Sequence, residues 1–222
     1  MFSVRTHCVV ATALLGCFIT RVAPAAVTAY HVESVNNSSS PALSGFITQD
    51  VAIDFGGQWT GSQLLIQLTQ GNIYQDAFGG ATEPNPALVA AFPSLAFDTF
   101  LGAGDRTATP SAITPSVAGA AVDLGGGPSQ KFDASGIDIA WFAPGGTLLT
   151  NGTDFFTARV SLSSNANGTY KYLASAGGQI SQFSGTINNG VLTPDSATVP
   201  EPVSVAVLGL GASLLGWRRR KA

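Results

Sequence analysis

Few side chains in this sequence are of the types that carry out catalysis. His31 is the only histidine after His7, and the two cysteines, Cys8 and Cys17, both lie near the amino terminus. Nucleophilic catalysis needs a base beside a serine or cysteine, and a zinc site needs three or four His, Cys or carboxylate ligands. His31 lies in an alternating apolar stretch and is best interpreted as a strand residue. We therefore expect no catalytic residues and no metal site of this kind.

Acidic residues are the next candidates, because glycoside hydrolysis needs two carboxyl groups on either side of the bond that is cut. Asp133 and Asp138 lie close together in the sequence, around a turn-like Ala-Ser-Gly, and such a loop is also a candidate for calcium. Their spacing matches no standard calcium-binding loop. We expect these aspartates to be turn residues and solvated strand positions. Calcium is the only cofactor that this pattern leaves open.

Large aromatic side chains suggest a third kind of chemistry, the stacking of sugar rings on an exposed shelf. The candidates for such a glycan contact are Trp59, Trp141, Tyr170 and Tyr172. The competing interpretation is core packing, where most large aromatic side chains are found. Burial of the two tryptophans would remove the basis for a glycan platform.

The amino-terminal residues have the pattern of a secretory signal peptide. Arg5 precedes an apolar run over residues 8–19, and Ala23 and Ala25 form an Ala-x-Ala cleavage site. The run is too short for an ordinary membrane-spanning helix. We predict a signal peptide over residues 1–25, removed by signal peptidase after export. An uncleaved anchor and a lipoprotein acylated at Cys17 are the two alternatives. After cleavage the chain contains no cysteine and hence no disulfide.

The carboxyl-terminal residues form three successive parts. A proline-rich motif comes first, made of Val199, Pro200, Glu201 and Pro202. An apolar span covers residues 203–217, and a basic stop follows, made of Arg218, Arg219, Arg220 and Lys221. Fifteen helical residues reach roughly 22 Å, which is short of a hydrocarbon core of about 30 Å. A short transmembrane helix of this kind suits transient residence in the inner membrane, with its basic end on the cytoplasmic side.

The motif, span and basic stop, together with a signal peptide, resemble the PEP-CTERM sorting signal of Gram-negative bacteria, also called the VPEP or ice-binding-protein C-terminal motif. The resemblance covers residues 199–222. It implies that exosortase, a membrane-embedded cysteine peptidase, recognises residues 200–202 and cuts near them, so that this chain is its substrate. It also implies delivery to the cell surface or extracellular matrix, with exopolysaccharide as a candidate partner. The central residues 26–198 resemble no family that we recognise.

Period-two alternation of apolar residues dominates the centre of the chain and predicts β-strands. The predicted strands are 27–35, 46–55, 59–68, 95–101, 136–142, 154–163, 169–174, 179–187 and 191–192. Glycine pairs such as Gly56-Gly57 are predicted to end strands, and Thr157, Arg159 and Ser161 are predicted to face water. One helix over residues 86–91, capped by Asn85, is expected. The pattern predicts an all-β protein with a single β-sandwich, jelly-roll or Ig/cohesin-like, over residues 26–198. A signal helix and a short transmembrane helix flank it.

Removal of both ends makes the protein more acidic. Between residues 27 and 199 there are four basic and twelve acidic residues, a formal net charge of −8 against −3 for the whole chain. Such a surface is unsuited to nucleic acid and to anionic membranes. We therefore expect an exported, non-enzymatic bacterial surface or matrix protein that exosortase sorts. The alternatives are a secreted carbohydrate-binding module and a glycan-active hydrolase.

Overall fold

The computed structural model describes residues 26–104, 114–116, 131–142 and 148–195. Its strands are β1 (Val27–Val35), β2 (Phe46–Gln70), β3 (Phe100–Gly104), β4 (Thr114–Ser116), β5 (Lys131–Asp133), β6 (Gly136–Phe142), β7 (Leu149–Ser163), β8 (Asn167–Ala176), β9 (Gln179–Asn188) and β10 (Val191–Pro194). The helical elements are α1 (Pro86–Ala91) and two 3₁₀ helices, Pro41–Leu43 and Pro93–Phe97. All strand pairings are antiparallel apart from one isolated bridge. The predicted all-β class is confirmed.

Strand β2 is the centre of the fold, because its 25 residues belong to both halves of a curled sheet. Its first half pairs with β1 and β7, and its second half pairs mainly with β8 and β6. The predicted strand end at Gly56-Gly57 is wrong. Gly57 has a φ of 74°, and the register with β7 shifts between Phe55 and Gln58. These irregularities let the strand change direction without ending, as bulges do.

The two halves of the sheet face each other across one apolar core. In the first half the order is β1-β2-β7-β3, and in the second it is β10-β9-β8-β2-β6-β4, with β5 also paired to β6. Val51 and Ile53 project into the core from the first half of β2, and Leu64 and Ile66 from the second half. Each of these four side chains is fully buried, which contributes about 2 kcal/mol per residue relative to exposure.

The short helix α1 begins as the sequence predicts. The Asn85 side chain accepts a hydrogen bond from the Ala87 N–H at 2.8 Å, and Pro86 occupies the first helical position. The strand predicted over residues 95–101 is wrong, because a 3₁₀ helix occupies Pro93–Phe97 and β3 begins only at Phe100. The carbonyl groups of Ala96 and Phe97 accept hydrogen bonds from side chains of β7 instead of joining a strand ladder.

Residues 74–99, which we call the cover segment, lie over the outer face of the first half of the sheet. Thr157 and Ser161 of β7 are completely buried, and the Ser161 hydroxyl donates to the Phe97 carbonyl at 2.6 Å. The prediction that the polar face of β7 is exposed to water is therefore wrong for these two residues. Arg159 between them is partly buried, with 17% of its side chain exposed. The Thr157 hydroxyl donates to the Val51 carbonyl of β2 at 3.0 Å. Both hydroxyl side chains can be buried because each hydrogen-bonds to the backbone.

No helix within the described ranges is both long enough and apolar enough to span a membrane. The predicted signal helix over residues 1–25 and the predicted span over residues 203–217 lie outside the residues that the structure describes.

Candidate functional site

The residues of the predicted processing sites lie outside the described residues. They are the signal-cleavage residues Ala23 and Ala25, the motif residues Val199, Pro200, Glu201 and Pro202, and the basic stop Arg218, Arg219, Arg220 and Lys221. The folded part comes close to both sites in sequence. β1 begins at Val27, and β10 ends at Pro194.

The four aromatic side chains predicted as a glycan platform are core residues. Trp59 and Tyr172 are 0% exposed, and Trp141 and Tyr170 are 1% exposed. The prediction of a stacking shelf made from these rings is therefore wrong. Their positions on the core-facing side of the strands, with their large apolar area, favour burial. The Trp141 indole N–H donates to the Gly102 carbonyl at 2.8 Å, which removes the main cost of burying it.

The two tyrosines in this group differ in their hydrogen bonding, and this difference predicts different effects on stability when each is replaced. The Tyr172 hydroxyl is bonded to the Ser62 hydroxyl at 2.7 Å, whereas the Tyr170 hydroxyl is buried without a hydrogen-bond partner. We expect Tyr172→Phe to lower the free energy of unfolding by about 1 kcal/mol and Tyr170→Phe to be neutral or stabilising. Denaturant unfolding of the two variants measures the difference. Equal losses would contradict it.

The aspartates considered for calcium have separate hydrogen-bond partners. Asp133 accepts from the Ser135 N–H and hydroxyl, both at 2.7 Å, and these bonds hold the pKa of its carboxyl below the usual value. The expectation of a solvated strand position is wrong for Asp138, which is buried in β6 and accepts a hydrogen bond from the Gln63 amide at 3.2 Å. Among the described residues, no three His, Cys, Asp or Glu side chains are grouped to hold a metal ion.

Within the cover segment, Asp98 is a buried carboxylate that fixes the loop before α1. It is 0% exposed, and one of its oxygens accepts from the Asp76 N–H at 2.8 Å and the Gln75 amide at 3.2 Å. Gly79 packs directly against its second oxygen, which a side chain at that position would strike. Burial, together with the nearby Asp76 carboxylate, raises the pKa of Asp98 to about 6 although backbone N–H groups act in the opposite direction. This carboxyl has the pKa of a general acid but no open approach, so its role is structural.

A concave site lies on the outer face of the second half of the sheet. This outer groove has a volume of about 240 Å³. Its walls are Ile180 of β9 and Phe142 of β6, which are 54% and 40% exposed. The floor of the groove between these walls consists of small residues. Gly61 of β2 is paired with Ser175 of β8 and lies against Phe142.

The groove also has a polar part. Gln63, which lines it, is 3% exposed and donates to Asp138, but the Gln63 side-chain oxygen and the second Asp138 oxygen have no hydrogen-bond partner. At the rim the Thr60 and Ser175 hydroxyls are 2.7 Å apart. Buried acceptors without a donor each cost about 1–3 kcal/mol. The outer groove thus combines apolar walls with one lining residue, Gln63, whose buried side-chain oxygen has no hydrogen-bond partner.

The groove was not among the sites predicted from sequence, although the sequence contains one signal for it. Gly61 interrupts a strand pattern, and a glycine inside a strand often marks a place where a ligand or another chain approaches the backbone. Phe142 and Ile180 are not distinguishable in sequence from core residues. Their exposure follows from the pairing of four strands, which alternation does not specify.

No protein-family model matches the chain, and the searches of curated proteins and of solved structures found no similar protein.

Proposed function

We propose that this chain is an exported, non-enzymatic bacterial surface or extracellular-matrix protein that exosortase sorts through its carboxyl-terminal motif. The observation that carries the proposal is the order of Pro200-Glu201-Pro202, an apolar span and four basic residues, in a chain whose amino-terminal residues have the pattern of a signal peptide. The secretion machinery and signal peptidase act first in this scheme. The inner membrane holds the precursor transiently, and exopolysaccharide is the expected surrounding material.

The extent of the folded domain supports this scheme. β1 begins just after Ala25, and β10 ends a few residues before Val199. Cuts near these two positions would leave every described strand intact. The Val27 side chain is 2% exposed, so the fold uses the chain almost from the first proposed cleavage site.

Within this proposal the domain is a single β-sandwich of the jelly-roll or Ig/cohesin-like kind. The support is that the two halves of the curled sheet share one core, with Tyr30 of β1 stacked on Phe183 of β9 at a centroid distance of 4.9 Å. A sandwich of this kind suits an adhesive or structural role. Asp76 and Asp98 are neighbouring carboxylates, but Asp98 is fully buried, so this pair does not line the open cleft that the hydrolase alternative needs.

The sorting proposal predicts a processing defect in motif variants. We expect Pro200→Ala and Glu201→Ala to leave uncut precursor in the inner membrane, because the peptidase no longer recognises its substrate. Fractionation of the producing cells, with an antibody to the β domain, separates membrane-bound precursor from the shorter surface or released form.

A matched control is Thr198→Ala, which makes the same kind of change one residue before the motif. It is expected to be processed as the natural chain is. Normal cutting and release of both Pro200→Ala and Glu201→Ala would exclude the sorting role. Equal retention of Thr198→Ala would show that the defect is not specific to the motif.

A further inference from the structure

We propose that the outer groove is a binding site for a neutral oligosaccharide, which lies along the strands between Phe142 and Ile180. The inference goes beyond sorting and does not depend on it, because the groove belongs to the folded domain and not to the terminal motif. Four observations carry it: the width of the groove, its exposed apolar walls, its uncharged polar lining groups and the pairing of its floor strands.

The width fits one sugar ring. Phe142 and Ile180 are on β6 and β9, with β2 and β8 between them. Three interstrand spacings place the two wall strands about 14 Å apart. The Phe142 and Ile180 side chains narrow the gap between these strands to roughly the width of a single pyranose. The volume of about 240 Å³ is below the lower end of the range for drug-sized ligands, about 300 Å³. A single ring at a time therefore fills it, and neighbouring rings extend along the groove.

The chemistry of the walls and floor matches the two sides of a pyranose. The exposed Phe142 ring offers an apolar face for the C–H side of a sugar. The side-chain oxygen of Gln63, which lines the groove, lacks a donor, and sugar hydroxyls are donors. This oxygen is buried, so the Gln63 side chain has to rotate for a sugar hydroxyl to reach it. The Thr60 and Ser175 hydroxyls at the rim can both donate and accept.

An extended peptide fits the groove less well. A peptide that binds to a sheet usually adds to a free edge and gains main-chain hydrogen bonds. Here the floor strands β2 and β8 are paired on both sides, so their backbone groups are already used. A peptide lying across this face would leave many of its amide groups without partners, at a cost for each one. A sugar chain carries no backbone amides.

The lining of the groove selects among sugars by its lack of charge. None of the described residues that line it is charged. A uronic acid or a sulfated ring would lose water around its charge without gaining a cation to pair with. The preferred ligand is therefore neutral.

The test uses the full chain, purified in a detergent without a sugar headgroup so that the detergent does not compete. Isothermal titration calorimetry measures binding of cellohexaose, maltohexaose, mannohexaose and xylohexaose, with a galacturonate oligomer and an uncharged hexapeptide as comparisons. We expect at least one neutral hexasaccharide to bind at millimolar concentration or below, and the galacturonate oligomer and the peptide not to bind. Phe142→Ala is expected to weaken that binding about tenfold.

The matched control is Phe92→Ala, because Phe92 is the same residue type, is 39% exposed against 40% for Phe142, and lies on the cover segment. It is expected to leave the affinity unchanged. Ala140→Leu, which fills the floor, should also abolish binding, and its unfolding midpoint checks that it folds. No binding of any neutral hexasaccharide, equal losses in the two phenylalanine variants, or binding of the peptide or galacturonate alone would overturn the inference. Processing of the precursor is unaffected by these outcomes.

Discussion

Arg159→Ala is expected to lower the free energy of unfolding by about 3–5 kcal/mol, because it removes the guanidinium from a buried carboxylate. Arg159 donates two hydrogen bonds to Asp50, at 2.7 and 2.8 Å, and the Asp50 side chain is only 1% exposed. The same guanidinium donates to the Ala96 carbonyl and lies 5.5 Å from the centre of the Phe100 ring. One side chain thus ties β2, β7 and the cover segment together.

Denaturant unfolding measures this loss, and limited proteolysis shows where it acts. Residues 74–99 should be cut sooner in the variant than in the natural chain, since the bond to Ala96 is also lost. Lys171→Ala is the control, because Lys171 is an exposed basic residue on the outer face of the sheet. It should change stability by less than about 0.5 kcal/mol. An Arg159→Ala loss as small as that of the control would contradict a structural role for the ion pair.

Asp98 is expected to make the fold less stable as the pH rises from about 4 to about 6. Its pKa in the folded protein is about 6, and in the unfolded chain it returns to about 3.9. Between these values the folded state holds a proton that the unfolded state has lost. The stabilisation is therefore complete below pH 4 and is lost as the pH rises through 6, with a total change of about 2–3 kcal/mol.

Other aspartates make the fold more stable as the pH rises, but they do so at a lower pH than Asp98 acts. Hydrogen bonds lower the pKa of Asp54, chiefly the Asp154 backbone N–H, and the pKa values of Asp76 and Asp133 are lowered as well. These aspartates stabilise the folded state when the pH is above their pKa in the unfolded chain. This stabilisation is lost as the pH falls below about 4. Stability is thus expected to be greatest near pH 4–5.

Asp98→Asn separates the two effects, because asparagine does not titrate. The variant should show no fall in unfolding free energy between pH 4.5 and pH 7, while Asp195→Asn, at an exposed position, should keep the fall seen in the natural chain. Unfolding curves at several pH values give both slopes. If Asp98→Asn retains the natural slope, the pH dependence belongs to another group.

Elements with strong local signals were predictable from sequence. β1 follows from alternating β-branched and aromatic residues, and its predicted limits are those observed. α1 follows from the Asn85 cap and Pro86, and β6 from its period-two pattern and the Pro-Gly-Gly after it. In each case the residues that fix the element are neighbours in the chain, so a short stretch contains the information.

Features that depend on distant residues were not predictable. Ser161 is polar, and it is buried because residues 97–99 cover it and hydrogen-bond to it. Local sequence rules predict that the glycine pair after Phe55 ends a strand. β2 continues past these glycines because neighbouring strands pair with it before and after them. The outer groove could not be predicted for the same reason, since Gly61 and Ser175 come together across 114 positions in numbering. Alternation assigns a residue to a face but does not reveal what covers that face.

The sharing of β2 between both halves of the sheet also sets the order in which the protein can fold. β2 is made early, yet its partners β6, β7 and β8 lie much later in the chain, with Thr60 and Ser175 contacting each other over 115 residues. Strands that are this far apart in the sequence pair late and slowly during folding. If the chain is exported from its amino terminus, as we propose, β2 has no completed sheet to join until β8 has crossed the membrane. The topology would then favour an unfolded, translocation-competent chain until export is nearly complete.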